Sequence, residues 1–241
     1  MSITIKENKK PNLKLPKFSV DNELHIKLNN YEITKLMNKS NFSLFLGKAG
    51  SGKTSLMTSF LKTKDLFHKV YYQIFIFMPS NSRASLKDNF FDKSLPEEQI
   101  FSDVQYEDLN EVYLTCQANA EDKKQTLIIF DDTQRFLKQN DIQKLLLNMI
   151  NNRRHLRLSI WLCCQNYFSI PKMVRSGLTD LFVFRCSKKE MEQIFEEQIE
   201  LYKDYFLEII NSCFKKNHDF LYINTNSGKI FNNWNEIVIT L

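Results

Sequence analysis

A chain of 241 residues with 43% hydrophobic content can bury one sizeable core, and a net charge of +5 permits a polyanionic partner without demanding one. No apolar run approaches the ~18 residues needed to span a bilayer, and the opening Met1-Ser2-Ile3-Thr4-Ile5-Lys6 has no secretory core, so a soluble intracellular protein is expected. The five cysteines, Cys116, Cys163, Cys164, Cys186 and Cys213, are odd in number and lack zinc-site spacing; they read as reduced thiols, mostly in the core, which excludes a disulfide framework.

Residues 1–20 carry Lys6, Lys9, Lys10, Lys14 and Lys17 against Glu7, with Pro11 and Pro16 interrupting any helix. A basic, flexible tail is expected there, leaving residues 21–241 as a single domain. Tyr31 to Met37 reads as a short helix and Phe42-Ser43-Leu44-Phe45-Leu46 as a first buried strand; Thr54 to Leu61 then carries apolar residues at helical spacing. Val70 to Phe77, aromatic and β-branched and stopped by Pro79, reads as the second strand. Ser80 to Phe101 is polar and irregular, as a surface insertion would be. Tyr106 to Asp122 reads as a helix, Thr126 to Phe130 as the third strand, Ile142 to Ile150 as a helix, Leu158 to Cys164 as the fourth strand and Leu181 to Arg185 as the fifth. One long helix is expected from Lys188 to Phe214, with Met191, Phe195, Tyr202, Phe206 and Ile209 along its core face. Phe220 to Ile223 and Ile230-Phe231, around Asn226-Ser227-Gly228, read as a hairpin. Strands that are apolar throughout and separated by helices indicate an α/β fold, its mainly parallel sheet covered by helices on both faces.

Between the first strand and the first helix lies Gly47-Lys48-Ala49-Gly50-Ser51-Gly52-Lys53-Thr54, which satisfies every position of G-x-x-x-x-G-K-[ST]. Strand, loop, helix is the context that a phosphate-binding loop requires. Its glycines let the backbone curl so that N–H groups face a β-phosphate, and the helix that follows adds its positive end. The nucleotide-binding set is therefore Gly47, Lys48, Ala49, Gly50, Ser51, Gly52, Lys53, Thr54 and Ser55. Lys53 would reach the β- and γ-phosphates of ATP, and the Thr54 hydroxyl would hold Mg²⁺. The third strand ends in Asp131-Asp132, at the sheet edge where open α/β sheets take ligands. Asp131 would join Thr54 around Mg²⁺, and Asp132 would orient or deprotonate the attacking water. Gln165 ends the fourth strand with an amide suited to the γ-phosphate or its water. These features predict a P-loop NTPase of the additional-strand, RecA-like type, with strand order 5-1-4-3-2. Hydrolysis in such sites waits for a positive charge at the γ-phosphate, which a neighbour's arginine raises by ~10³ to 10⁵ in rate; Arg153, Arg154 and Arg175 are the candidates.

In their order along the chain these pieces resemble the genome-packaging ATPases of poxviruses, giant viruses and virophages, a branch of the FtsK–HerA group of DNA-pumping motors. The resemblance rests on Gly47 to Thr54, Leu127 to Asp132, Arg154-His155-x-x-x-Ser159 leading through a strand to Gln165, Ile170-Pro171-x-x-Val174-Arg175, and the strand Leu181 to Arg185. The Asp131-Asp132 end, where many relatives have Asp-Glu, and the Arg154-His155 segment ahead of the glutamine strand are its more discriminating features. It implies a homo-oligomeric ring that uses ATP to thread double-stranded DNA into a preformed capsid, with capsid or portal-vertex proteins as partners and the host cytoplasm, viral factory or virion as location. The roles above then carry over: Lys53 and Thr54 on phosphate and metal, Asp131 on metal, Asp132 as catalytic carboxylate, Gln165 as sensor. Arg154 is the first candidate for the trans-acting arginine and Arg175 the second, although Arg175 would also suit fixing the turn after Pro171. His155 reads as a packing or hydrogen-bonding residue beside the site. Lys87, Lys93, Arg135 and Lys138 lie in segments that could hold DNA, and the tail could be an arm on DNA or a capsid protein. Two other readings stand beside this one. A P-loop kinase of a small acceptor would want an arginine-rich lid and leaves Gln165 without a task; a nucleotide-gated assembly factor without turnover has no use for Asp132.

Overall fold

The computed structural model describes residues 2–6, 36–64, 66–84, 86, 89–199 and 203–240. Among these the strands are β1 Ser2–Lys6, β2 Phe42–Leu46, β3 Gln73–Phe77, β4 Ile100–Phe101, β5 Thr126–Asp131, β6 Leu158–Cys164, β7 Asp180–Phe184, β8 Phe220–Asn224, β9 Lys229–Asn232 and β10 Asn235–Thr240. The helices are α1 Lys53–Lys62, α2 Ser80–Ala84, α3 Phe90–Ser94, α4 Tyr106–Glu121, α5 Asn140–Asn152, α6 Lys172–Arg175, α7 Lys188–Gln198 and α8 Lys203–Cys213. All strands join one sheet in the order β1-β10-β9-β8-β7-β2-β6-β5-β3-β4. Its parallel half, β7-β2-β6-β5-β3, is the expected 5-1-4-3-2, with β4 added beyond β3 in parallel. From β7 outward the sheet turns antiparallel through β8, β9, β10 and β1.

Strands β2, β5, β6 and β7 are buried at every position because both faces are covered, which is why their sequences show no alternation. On one face α1 packs Met57 and Phe60 against Phe45, Trp161 and Phe182; Phe45 and Phe182 stack with ring centroids 4.9 Å apart. On the other, Val112 of α4, Leu146 and Met149 of α5 and Ile194 of α7 cover Leu44, Ile128 and Ile160. The predicted C-terminal hairpin is β8–β9, with Asn224 opposite Lys229.

Three expectations need correction. The helix expected from Lys188 to Phe214 is two helices, α7 and α8, and α7 closes with the Ile199 N–H on the Phe195 carbonyl. Phe195 and Phe206 lie with ring centroids 5.0 Å apart, whereas eleven residues of straight helix would separate them by roughly 16 Å. Met191, Phe195, Phe206 and Ile209 of the expected stripe are buried on two helices, while Tyr202 lies outside the described residues, so periodicity alone could not distinguish one helix from two. The segment expected to be an irregular insertion contains α2, α3 and β4, anchored by buried Phe91. Ser2–Lys6, placed in the flexible tail, pairs with β10 from Ser2 opposite Thr240 to Lys6 opposite Glu236; its β-branched run Ile3-Thr4-Ile5 suits a strand added to an open edge. The rest of the tail, and Tyr31 to Lys35 of the expected short helix, lie outside the described residues.

Candidate nucleotide site

All parallel strands end at one edge of the sheet, and β2 delivers Gly47 to it. The Gly47 N–H donates to the Cys164 carbonyl at the end of β6, 3.1 Å away, so the loop begins clipped to the neighbouring strand. A Cβ at Gly47 would meet Ser51 Oγ at 2.6 Å and Phe184 Cβ at 2.7 Å, and Gly50 and Gly52 take φ of +73° and +106°, values that disfavour any side chain. The curled loop then hands directly into α1, where the Leu56 N–H donates to the Gly52 carbonyl at 2.8 Å. No acidic residue stands in the first turn of α1, and Ser51 Oγ is buried without a partner. The Lys53 ammonium is buried and donates to the carbonyls of Gly47 (2.8 Å) and Lys48 (3.0 Å). A ring of N–H groups, a helix start and an ammonium on one curl of backbone is the donor set that a polyphosphate needs.

The acid pair closes the other side. Thr54 Oγ1 donates to Asp131 Oδ2 at 3.0 Å, bringing the two expected magnesium-shell residues together. Asp131 is 5% exposed. Burial pushes its carboxyl up to about 6, and the charge of Asp132 works in the same direction, against the Thr54 hydrogen bond and the Lys53 ammonium. Asp132 lies at φ +58°, a left-handed corner that takes the chain off β5 immediately after Asp131, with its N–H on the Cys163 carbonyl at 3.2 Å. Gln165 Nε2 donates to both Asp132 oxygens, at 2.8 and 2.9 Å. The glutamine at the end of β6 thus meets the carboxylate at the end of β5, which is what strand order 4 beside 3 requires.

The arginines separate. Arg154 lies in the α5–β6 connection, exposed and without a side-chain bond among the described residues, at the start of β6 rather than at its end. Seven residues of strand put it roughly 20 Å from its own phosphate loop, so it can serve a nucleotide only on another subunit. Arg153 beside it is half-buried and donates to the Ile150 carbonyl at 2.9 Å; burial, then the charge of Arg154, lowers its pKa. His155 is exposed on the same connection, remote from the loop it was expected to flank. Arg175, the second finger candidate, is corrected to a structural role. Its Nε and Nη2 donate to Glu197 at 2.9 and 2.7 Å, its Nη1 donates to the Ile170 carbonyl at 2.8 Å, and its guanidinium lies over the Tyr167 ring. It fixes the turn after Pro171. Burial raises the Glu197 pKa, but the Arg175 and Tyr167 hydrogen bonds outweigh that and hold it below its ordinary value. Of the expected DNA-holding residues, Arg135 and Lys138 are exposed in the turn after Asp132, Lys93 lies on α3, and Lys87 lies outside the described residues.

Sequence reading missed His218. From the α8–β8 turn, at φ +68°, its Nδ1 comes within 2.9 Å of the Ser51 carbonyl and 3.4 Å from where a Gly52 Cβ would stand. Asp219 pins this turn by accepting from the Lys216 N–H (2.7 Å) and the Asn233 side chain (3.0 Å). A lone histidine 167 residues from its partner carries no local signal; only the placement of β8 beside β7 brings it to the loop.

A parallel sheet with one strand inserted between the phosphate-loop strand and the acid-bearing strand, carrying this loop, acid pair and glutamine, defines a P-loop NTPase of the additional-strand class. Residues 29–238 match the family described as Poxvirus A32 protein, and the chain belongs to that family. It is 28% identical over 152 residues to the DNA packaging protein OPG160 of variola virus, a match covering 61% of this chain and 54% of that one; the chain spans about half the length of the curated relatives it matches. Among solved structures, it is similar to the genome packaging NTPase B204 of Sulfolobus turreted icosahedral virus 2 in complex with ATP-gammaS, at TM-score 0.59 and 17% identity over 85% of this chain and 100% of that one. It is also similar to EssC (ATPases 2 and 3) of Geobacillus thermodenitrificans, at TM-score 0.54 and 14% identity over 82% of this chain and 39% of that one. At these identities the structural likeness concerns the fold. No helix among the described residues is long and apolar enough to cross a membrane.

Proposed function

We propose that this chain is the ATP-hydrolysing subunit of a ring that drives double-stranded viral DNA into a capsid. The observation that carries the reading is the convergence at one sheet edge of a complete phosphate loop with two paired carboxylates, Asp131 on Thr54 and Asp132 on Gln165. A fold that only bound nucleotide would need the first pair and not the second. The names of the variola relative and of the B204 neighbour, a DNA packaging protein and a genome packaging NTPase, support DNA as the substrate and the capsid as its destination.

The residues divide the work. The loop N–H groups and Lys53 bind and orient the ATP phosphates, and Ser51 Oγ, buried without a partner, is available to them. Thr54 and Asp131 are the residues that would hold Mg²⁺, whose charge offsets the cost of keeping Asp131 ionised while buried. Asp132 orients and deprotonates the attacking water, with Gln165 holding the carboxylate in place and sensing the γ-phosphate. Arg154 supplies the positive charge to the site of the next subunit. Capsid or portal-vertex proteins are the expected further partners, and the viral factory or virion the place of action.

The test is ATP hydrolysis with and without double-stranded DNA, comparing wild type with Asp132→Asn at low and moderate salt. Stimulation by DNA that disappears in the variant supports the motor. Turnover indifferent to DNA, at protein concentrations that form rings, favours a kinase; nucleotide binding with no turnover favours an assembly factor.

A further inference from the structure

We propose that the corners before β5 and β3, at the amino-terminal edge of the parallel sheet opposite the phosphate loop, form a binding surface for the phosphate backbone of duplex DNA, built from Lys69, Tyr72, Lys123 and Lys124. The β6 corner, which carries Arg154, is left to the neighbouring subunit. The inference rests on the DNA-translocating reading above and adds where the duplex lies. Strands β2, β6, β5 and β3 are neighbours and parallel, so the corners that precede them open on one surface. Each corner brings a cation: Lys39 before β2, Arg157 before β6, Lys123 and Lys124 before β5, Lys69 before β3.

Hydrogen bonds tie these corners into one surface. The Gln125 side chain donates to the Lys39 carbonyl and to Ser40 Oγ, and the Gln125 carbonyl accepts from the Tyr72 N–H at 2.8 Å. Arg157 Nη1 donates to the Lys123 carbonyl at 3.2 Å, and the Thr126 N–H donates to the Arg157 carbonyl at 3.0 Å. Among the described residues the exposed acids at this edge are Glu121 and Asp122, at the end of α4; Asp122 is occupied by Lys124 at 2.7 Å, and Asp180 at the start of β7 is buried. Lys39, Lys69 and Lys123 are exposed and have no ion pair among the described residues.

The backbone adds a second observation. Among the described residues six non-glycine residues take positive φ, and three of them are Lys69 (+57°), Lys123 (+60°) and Arg157 (+47°), all on this edge. Glycine or asparagine occupies such corners at lower cost, so a long cationic side chain at each is there for what the side chain does. Tyr72, 63% exposed, indicates which nucleic acid fits. The Lys124 ammonium sits 4.4 Å from its ring centroid and 2.7 Å from Asp122, so one face of the ring is already covered by a cation. Cations around a single half-covered ring suit the sequence-independent backbone of a duplex better than a single strand. The location also suits a motor, because β5 and β6 run straight from this edge to Asp131 and Gln165 at the nucleotide edge.

The experiment measures binding of a short labelled DNA duplex across a series of salt concentrations. It compares wild type, the triple variant Lys69→Gln/Lys123→Gln/Lys124→Gln, and a control with equal charge loss elsewhere, Lys144→Gln/Lys188→Gln/Lys189→Gln. Wild-type melting temperatures for both variants show that they fold. The triple variant should bind at least about tenfold more weakly at moderate salt, with a log–log salt slope shallower by roughly 2 to 3, about 0.9 for each phosphate that is no longer neutralised, while the control keeps the wild-type slope. A triple variant with unchanged slope, or a control that weakens as much, overturns the surface while leaving the translocase reading intact. Wild type that binds no duplex at any salt removes that reading and this surface together.

Discussion

Replacing Asp131 by Asn should make the nucleotide-free protein more stable while abolishing its activity. The carboxyl is 5% exposed and burial lifts it from an ordinary 3.8 to about 6. Between those values the native carboxyl keeps a proton that the unfolded chain has lost. The stability this group contributes is therefore complete below about pH 4 and is lost as pH rises through about 6. At ~1.36 kcal/mol per pH unit, the gap makes the ionised aspartate cost the empty fold about 3 kcal/mol at pH 7.5 and roughly 1 kcal/mol at pH 4.5. Asparagine is neutral at both and still offers an acceptor to Thr54. Urea unfolding without Mg²⁺ or nucleotide should find Asp131→Asn more stable by about 3 kcal/mol at pH 7.5, a gain that shrinks by about 2 kcal/mol at pH 4.5. Equal stability at pH 7.5, or a gain indifferent to pH, would refute the argument that burial dominates this carboxyl. With Mg²⁺ and ATP the ranking should invert, because wild type alone gains the ligand's stabilisation.

Arg154→Ala should leave the melting temperature unchanged and lower DNA-stimulated turnover by ~10³-fold or more, whereas Arg175→Ala, which takes the charge-assisted hydrogen bonds from a half-buried Glu197, should cost about 1.5–3 kcal/mol in unfolding experiments; the reverse pattern would exchange the two assignments. Asp132→Asn should reduce kcat by ~10²- to 10⁴-fold with nucleotide affinity retained, measured by single-turnover hydrolysis alongside a binding titration. Gly47→Ala places a Cβ 2.7 Å from Phe184 Cβ, and should abolish ATP binding in a fold whose far-ultraviolet circular dichroism is preserved. His218→Ala removes one hydrogen bond to the Ser51 carbonyl and should weaken ATP binding by about three- to tenfold, the equivalent of ~0.5–1.5 kcal/mol, without slowing turnover at saturating ATP.

The parts of this molecule legible in its sequence are those whose physics is local. The phosphate loop needs glycines at fixed offsets, so Gly47 to Thr54 announces both its own geometry and the strand and helix on either side. Buried strands are apolar throughout, and Phe42 to Leu46 and Leu158 to Cys164 begin and end where the residue pattern places them. The 5-1-4-3-2 order is expected from the phosphate loop and the acid-ended strand together, but residues alone do not prove it; the pairing of β6 between β2 and β5 establishes it. What escaped depends on neighbours that the chain supplies from far away. His218 reaches Ser51 because the antiparallel half of the sheet grows outward from β7, a choice made by pairing along β8 and invisible in the residues around His218. Arg175 and Arg154 look alike as letters; Glu197 and the Ile170 carbonyl hold one of them inside the subunit, and the start of β6 leaves the other at an open edge. The fold-back between α7 and α8 escaped for the same reason, because Phe195 and Phe206 satisfy one apolar stripe whether they lie end to end on a single helix or ring against ring on two. Residue pattern fixes which groups must be buried or must bind phosphate; which of several equivalent groups does so is decided by contacts across the sheet.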